Sequence, residues 1–247
     1  MKRLVRAEAL KARTGKAWWV MLVIAIPLAL VTCLGVSIQG VDDLEKRATT
    51  EAELTAELAL QWFQMLLFTS LFGALLVSRE FGNRSIARSV LLSESRDRLL
   101  GAKLIVGVAA GALYGAVAVA LAIASVWFFM VTNDVRPQWT SDVVATLAGI
   151  FAVCVLAAAW GVLLGWILRE PLLAVAVVLI LTLLLEPGLQ EIAPDIFNWP
   201  FSIALSSIYQ DSKEGLLAVP VAVAVSFAWL SAAATLAVTL TRRRDVP

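Results

Sequence analysis

SREFGNRSIARSVLLSESRDRLLGAK, residues Ser78–Lys103, is a polar segment set between two long apolar runs. Six of its residues are basic, Arg79, Arg84, Arg88, Arg96, Arg98 and Lys103, and Gly82, Asn83 and the Ser93–Ser95 cluster punctuate it. Such a stretch is either a connection between membrane spans or a handle that a soluble partner grips. The rest of the chain bears on which.

Apolar residues make up 60% of the sequence and charged residues 16%, and the mean hydropathy is +0.86. An average soluble domain is about one-half apolar and one-quarter charged. The apolar residues fall in long runs, so the composition implies an integral membrane protein. The runs place six spans at approximately 17–38, 58–77, 104–131, 143–168, 172–188 and 217–240. With the N-terminus inside, 16 of the 20 basic residues fall on inner segments and 13 of the 19 acids on outer ones. That is the positive-inside bias. The expected fold is therefore all-α: one polytopic domain over 1–247, six transmembrane helices, both termini cytoplasmic.

Residues 1–16 are basic and only modestly amphipathic, and read either as a solvated tail or as a helix lying on the inner interface. Trp18 and Trp19 sit where an interfacial aromatic pair belongs. Leu30-Val31-Thr32-Cys33 matches a lipoprotein cleavage box poorly, because Thr32 is too large for its position, so the first run is expected to stay as an anchor. Residues 39–57 form an acidic, helical outer loop. Gly107, Gly111 and Gly115 recur every four residues in the third span and admit a neighbouring helix closely. Packing within one chain is preferred here to a seam between two.

The fifth run is short. Leu172–Leu185 has 14 residues, roughly 21 Å of helix against a hydrocarbon core of ~30 Å. The sequence from 187 to 216 is expected to be an extracellular, partly re-entrant segment. Glu186, Glu191 and Asp195 there either line an exit pathway or are solvated loop residues.

Several chemistries are excluded. With no histidine in the chain, Ser–His hydrolysis and most zinc sites drop out. Cys33 and Cys154 lie in separate spans and read as small packing residues. There is no phosphate-binding GxxxxGK[ST] loop. Ionisable groups of the kind that couple ions to transport near the midplane are also missing. The chain carries no engine of its own.

The run from Ala7-Glu8 to Lys11, followed by Trp18-Trp19 and Pro27, resembles the opening of ABC-2 type permeases, the membrane subunits of many bacterial ABC exporters. Arg79-Glu80-Phe81, followed by Ser95-Arg96-Asp97-Arg98-Leu99-Leu100-Gly101-Ala102-Lys103, resembles that family's loop between spans two and three. In the family a glutamate opens a short coupling helix there, and a Ser-Arg to Ala-Lys pattern leads into the third span. Pro194–Ile208 looks like the family's proline-bearing outer segment. Ser93 stands where proline is usual and Arg84-Ser85 where Gly-Thr is usual, which leaves the subgroup open.

The resemblance implies that 78–103 is a cytoplasmic coupling loop with its helix at Glu80–Leu92. Glu80, Arg84, Arg88, Arg96, Arg98 and Lys103 would be its coupling residues. It further implies a separate ABC ATPase subunit that holds ATP and Mg, no catalysis and no cofactor in this chain, and a second permease chain, identical or related. The expected setting is the lipid bilayer of a bacterial cell membrane, with export of a hydrophobic or amphipathic cargo and no nucleic-acid partner. The competing readings are a secondary carrier, disfavoured by the missing midplane charges, and a non-transporting sensor or immunity protein. The Arg169-Glu170-Pro171 turn has little room for a docking helix. Charge reversal at Arg169 is therefore expected to matter less than reversal at Glu80.

Overall fold

Apolar runs rich in Ala, Val and Leu satisfy their backbone internally only as helices when they lie in lipid. The computed structural model describes residues 1–83, 85–93, 95–185, 188–189, 192, 198–210 and 215–243, and no strand occurs among them. In chain order the elements are α1 (Lys2–Thr14), α2 (Ala17–Glu45), α3 (Glu51–Leu60), a 3-10 turn (Gln61–Gln64) and α4 (Met65–Gly82). They continue with α5 (Ile86–Ser93), α6 (Arg96–Val131), α7 (Ser141–Leu168), α8 (Pro171–Leu179), a π-helical segment (Ile180–Leu185), α9 (Phe201–Ile208) and α10 (Val219–Arg243).

Local signals set several boundaries. Thr50 and Glu53 form a reciprocal capping box at the start of α3, satisfying donors that a helix N-terminus leaves open. The acidic segment, read as a helical outer loop, is mostly helix, and only Lys46–Thr50 separates α2 from α3. Ser95 caps α6, Thr140 caps α7 and Pro171 opens α8. Residues 1–16, left open between tail and helix, form α1.

Among the described residues, five stretches are long and apolar enough to cross a membrane: Ala17–Glu45, Glu51–Gly82, Arg96–Val131, Ser141–Leu168 and Val219–Arg243. The sequence reading placed six. The sixth, Pro171–Leu185, is shorter, and its α-helical hydrogen-bonding gives way to a π segment after Leu179. At 1.5 Å per residue it reaches about 22 Å, less than a hydrocarbon core. Of the segment 187–216, the described part includes α9, a helix buried along nearly its whole length against α7 and α10.

α4 and α7 are the buried centre of the bundle, whereas α2 and α10 leave most of their surface outward. The α4–α7 crossing depends on glycine. A Cβ at Gly161 would lie 1.9 Å from the carbonyl oxygen of Ser70, a separation no side chain survives. The glycine stripe of the third span packs within the chain, as preferred above: Cβ atoms on Gly107, Gly111 and Gly115 would meet Val162, Ala158 and Phe151 of α7. Cys33 and Cys154 are free thiols buried in the core.

Candidate functional site

At one end of the bundle, four charged side chains from three helices form a closed set. Lys103, the eighth residue of α6, is fully buried. Its Nζ lies 2.7 Å from Glu8 Oε2 and 2.9 Å from Glu80 Oε1. Lys11 Nζ lies 2.5 Å from Glu8 Oε1 and 3.2 Å from Glu80 Oε1. Glu8 is only 1% exposed. Glu8, Glu80 and Lys103 are largely buried, and any one of these charges buried alone would cost several kcal/mol, so they are held inside by one another and by the half-exposed Lys11. Burial pulls the Lys11 pKa down, but the two carboxylates more than offset this and leave it above the ordinary lysine value.

A fourth helix is tied in through Ser89 of α5. Its hydroxyl donates to Glu80 Oε2 at 3.0 Å and accepts from Lys11 Nζ at 3.0 Å. An eight-residue helix is too short to persist in isolation. α5 is held by this bond and by Ile86, which is fully buried in a cluster with Val77, Phe81, Leu99 and Trp166. Ile86, Ser89 and Ser93 thus face inward at helical spacing. The opposite face carries Arg88, exposed, with Leu91 and Leu92 at 82% and 75% exposure. These two leucines are bare on a polar connection outside the apolar stretches.

The residues singled out in the sequence are therefore divided among different roles. Glu80 does not open the short helix; it closes α4, one helix earlier, and points into the ion cluster. Lys103 joins it there. Arg88 lies on the outward face of α5. Arg96 turns away and donates through Nη1 to the Thr241 carbonyl of α10 at 2.8 Å. Arg98 is in the exposed first turn of α6. Arg84, and the acids Glu186, Glu191 and Asp195, lie outside the described residues. Much of 78–103 is thus not loop at all, since its ends belong to α4 and α6.

Glu8, Lys11 and Ser89 were not singled out from the sequence as site residues. A signal for Glu8 existed: it is the only acid among residues 1–16, which hold six bases, and it stands one helical turn before Lys11. A lone acid in a basic amphipathic helix calls for a buried partner.

Beside this cluster lies the Arg169 turn. Arg169 adopts a left-handed conformation, φ 60°. Its guanidinium sits 5.2 Å from the centre of the Phe81 ring, and Nη2 donates to the Leu240 carbonyl at 3.4 Å. With Arg96, and with Trp166 donating to the Thr241 hydroxyl at 2.6 Å, it closes off the last carbonyls of α10, which a helix end leaves without partners.

A family model described as "ABC-2 family transporter protein" matches residues 4–185. Comparison with curated proteins gives no match.

Proposed function

Because the chain belongs to the ABC-2 family of transporter proteins, we propose that it is the permease of an exporter whose ATP and Mg are bound by a separate ATPase subunit. This chain then hydrolyses nothing itself and needs no cofactor. It moves a hydrophobic or amphipathic cargo out of a bacterial cell, working beside a second permease chain. Both termini and the ion cluster face the cytoplasm, in keeping with the distribution of basic residues.

The observation that carries this reading is the outward face of α5. Arg88, Leu91 and Leu92 have no use in packing within the chain and form a small apolar contact with one charge, suited to a groove on a soluble partner. The inward face is fastened to α1, α4 and α6 through Ser89, Glu80 and Lys103. A push on α5 therefore reaches three helices at once. One of them, α6, has 36 residues, about 54 Å of continuous helix, enough to carry the displacement to the far end of the bundle.

The test is co-purification with an ABC ATPase encoded beside this chain. Leu91→Glu combined with Leu92→Glu should leave membrane levels unchanged and lower ATPase retention about ten- to thirtyfold, the scale of losing a central interface anchor. Full retention by that variant would sink the proposal and favour a carrier or sensor without an ATPase. Orientation is tested separately, in a chain with Cys33 and Cys154 replaced by Ser. A cysteine at Glu45 should react with an impermeant thiol reagent in intact cells, and one at Arg88 should not; labelling at Arg88 contradicts the cytoplasmic placement.

A further inference from the structure

At the opposite end of the bundle, a cavity of about 540 Å³ opens between α2, the 3-10 turn, the start of α4, the π-helical segment and α9. Gln64 in its wall is separated from Glu80 by about 24 Å of helix at 1.5 Å per residue. Three departures from long α-helix converge on this space: the 3-10 turn Gln61–Gln64, the π segment Ile180–Leu185 and the short helix α9. At membrane depth, irregular backbone persists only where it is buried in protein or lines a polar cavity, and π segments concentrate at functional sites.

The lining repeats the message at the level of side chains. Its walls are mainly apolar, with Phe63 and Tyr209 stacked at 5.1 Å between ring centres. Set into them are Thr32, Gln61, Gln64, Thr182, Ser202 and Ser206. Gln64 Nε2 donates to Thr32 Oγ1 at 2.8 Å, whereas no described residue donates to its amide oxygen, and the Thr182 hydroxyl has no hydrogen-bond partner among the described residues. No Asp, Glu, Lys or Arg is among the described residues lining the space.

We propose that this cavity holds the cargo, and that the cargo is an uncharged amphiphile whose head carries hydroxyl or amide groups. The assignment rests on the permease reading above. Among the described lining residues a charged head would find no counter-charge, and its desolvation would cost several kcal/mol. A purely apolar cargo would leave the Gln64 oxygen and the Thr182 hydroxyl facing hydrocarbon. An uncharged head with hydrogen-bonding groups meets both demands while its chain lies along the apolar walls.

The experiment photolabels the full-length protein in phospholipid nanodiscs with three dodecyl amphiphiles. Each carries a diazirine in the chain, and the heads are glucoside, trimethylammonium or sulfate. The glucoside should label peptides covering 61–68 and 202–209, and excess dodecyl glucoside should compete it away. Gln64→Leu and Thr182→Val should each reduce that labelling about two- to tenfold, the worth of one hydrogen bond. The two variants lie on separate elements, so misfolding of one does not decide the result. Equal labelling by all three heads, preference for a charged head, or labelling that neither variant moves, overturns the proposal. ATPase retention measured on the same preparations separates the two readings. Retention without competable labelling removes the cavity assignment alone; labelling without retention removes the permease reading and with it the word cargo.

Discussion

Two connections lie side by side at the ion-cluster end of the bundle and use their charges in opposite ways. A Cβ on Gly82, which ends the α4 side of the first, would come within 3.0 Å of Pro171, which ends the second. The first connection buries Ser89 and Ile86 and turns Arg88, Leu91 and Leu92 out. The second turns its one arginine in, over the Phe81 ring and onto the end of α10. Both contribute positive charge to the same side, and a tally of charges does not tell them apart. What separates a contact surface from a structural brace is where the uncharged residues beside the arginine go. In the proposed function, leucines that face outward on a polar connection are left for a partner, whereas an aromatic ring beneath a guanidinium is spent on the fold.

The largest effect should come from breaking the set that holds the first connection. Lys103→Met leaves Glu8 and Glu80 sharing only Lys11 and should destabilise the protein by about 3–5 kcal/mol, the range for a buried charge that loses its partner. The measurement is thermal unfolding of the purified protein in detergent. Adding Glu8→Gln to that variant should recover part of the loss, since one carboxylate then balances one lysine; a double variant worse than the single would mean that the charges do not act as a set.

Arg169→Glu comes next. It puts a carboxylate against the carbonyls of α10 and removes the cation from the Phe81 face, which should cost about 2–3 kcal/mol. The cost falls on the fold because the side chain points into the bundle; the sequence-based expectation, that reversal here does less harm to function than reversal at Glu80, is checked by comparing ATPase retention of the two variants. Protease sensitivity at the C-terminal end of α10 should rise accordingly. If the variant stays stable but loses the ATPase, Arg169 belongs to the docking face and the contrast between the two connections collapses. The smallest effect should be that of Arg242→Ala. Its pair with Asp97 spans 3.5 Å with both partners largely exposed, and such pairs are worth within about 0.5 kcal/mol, so unfolding should not shift measurably.

Much of this was legible before any tertiary structure. The long apolar runs fixed the helical class, and the position of Gly107, Gly111 and Gly115 on one stripe gave a close crossing that the fold places against α7. The shortness of Leu172–Leu185 was likewise visible, and the helix does change character after Leu179. The site was legible only in outline. Glu80 and Lys103 stood out as charges flanking a polar segment, but Glu8, the second carboxylate on Lys103, lies 95 residues from it, beyond any local periodicity. The two halves of α5 differ in burial, not in hydrophobicity: Ile86 and Leu91 are alike in sequence, and only the packing of Trp166 and Phe81 around one of them decides which is core.

The amino-acid sequence by itself determined the solvent this protein lives in, its helices and the bias of its charges, because hydropathy, helix length and charge count are properties of residues and their near neighbours. The tertiary structure alone decided which charges are paired, which leucines stay exposed and where polar groups meet a cavity. Those outcomes depend on what the rest of the chain places within about 4 Å of each side chain, since both desolvation and its compensation by ion pairs and hydrogen bonds are contact effects.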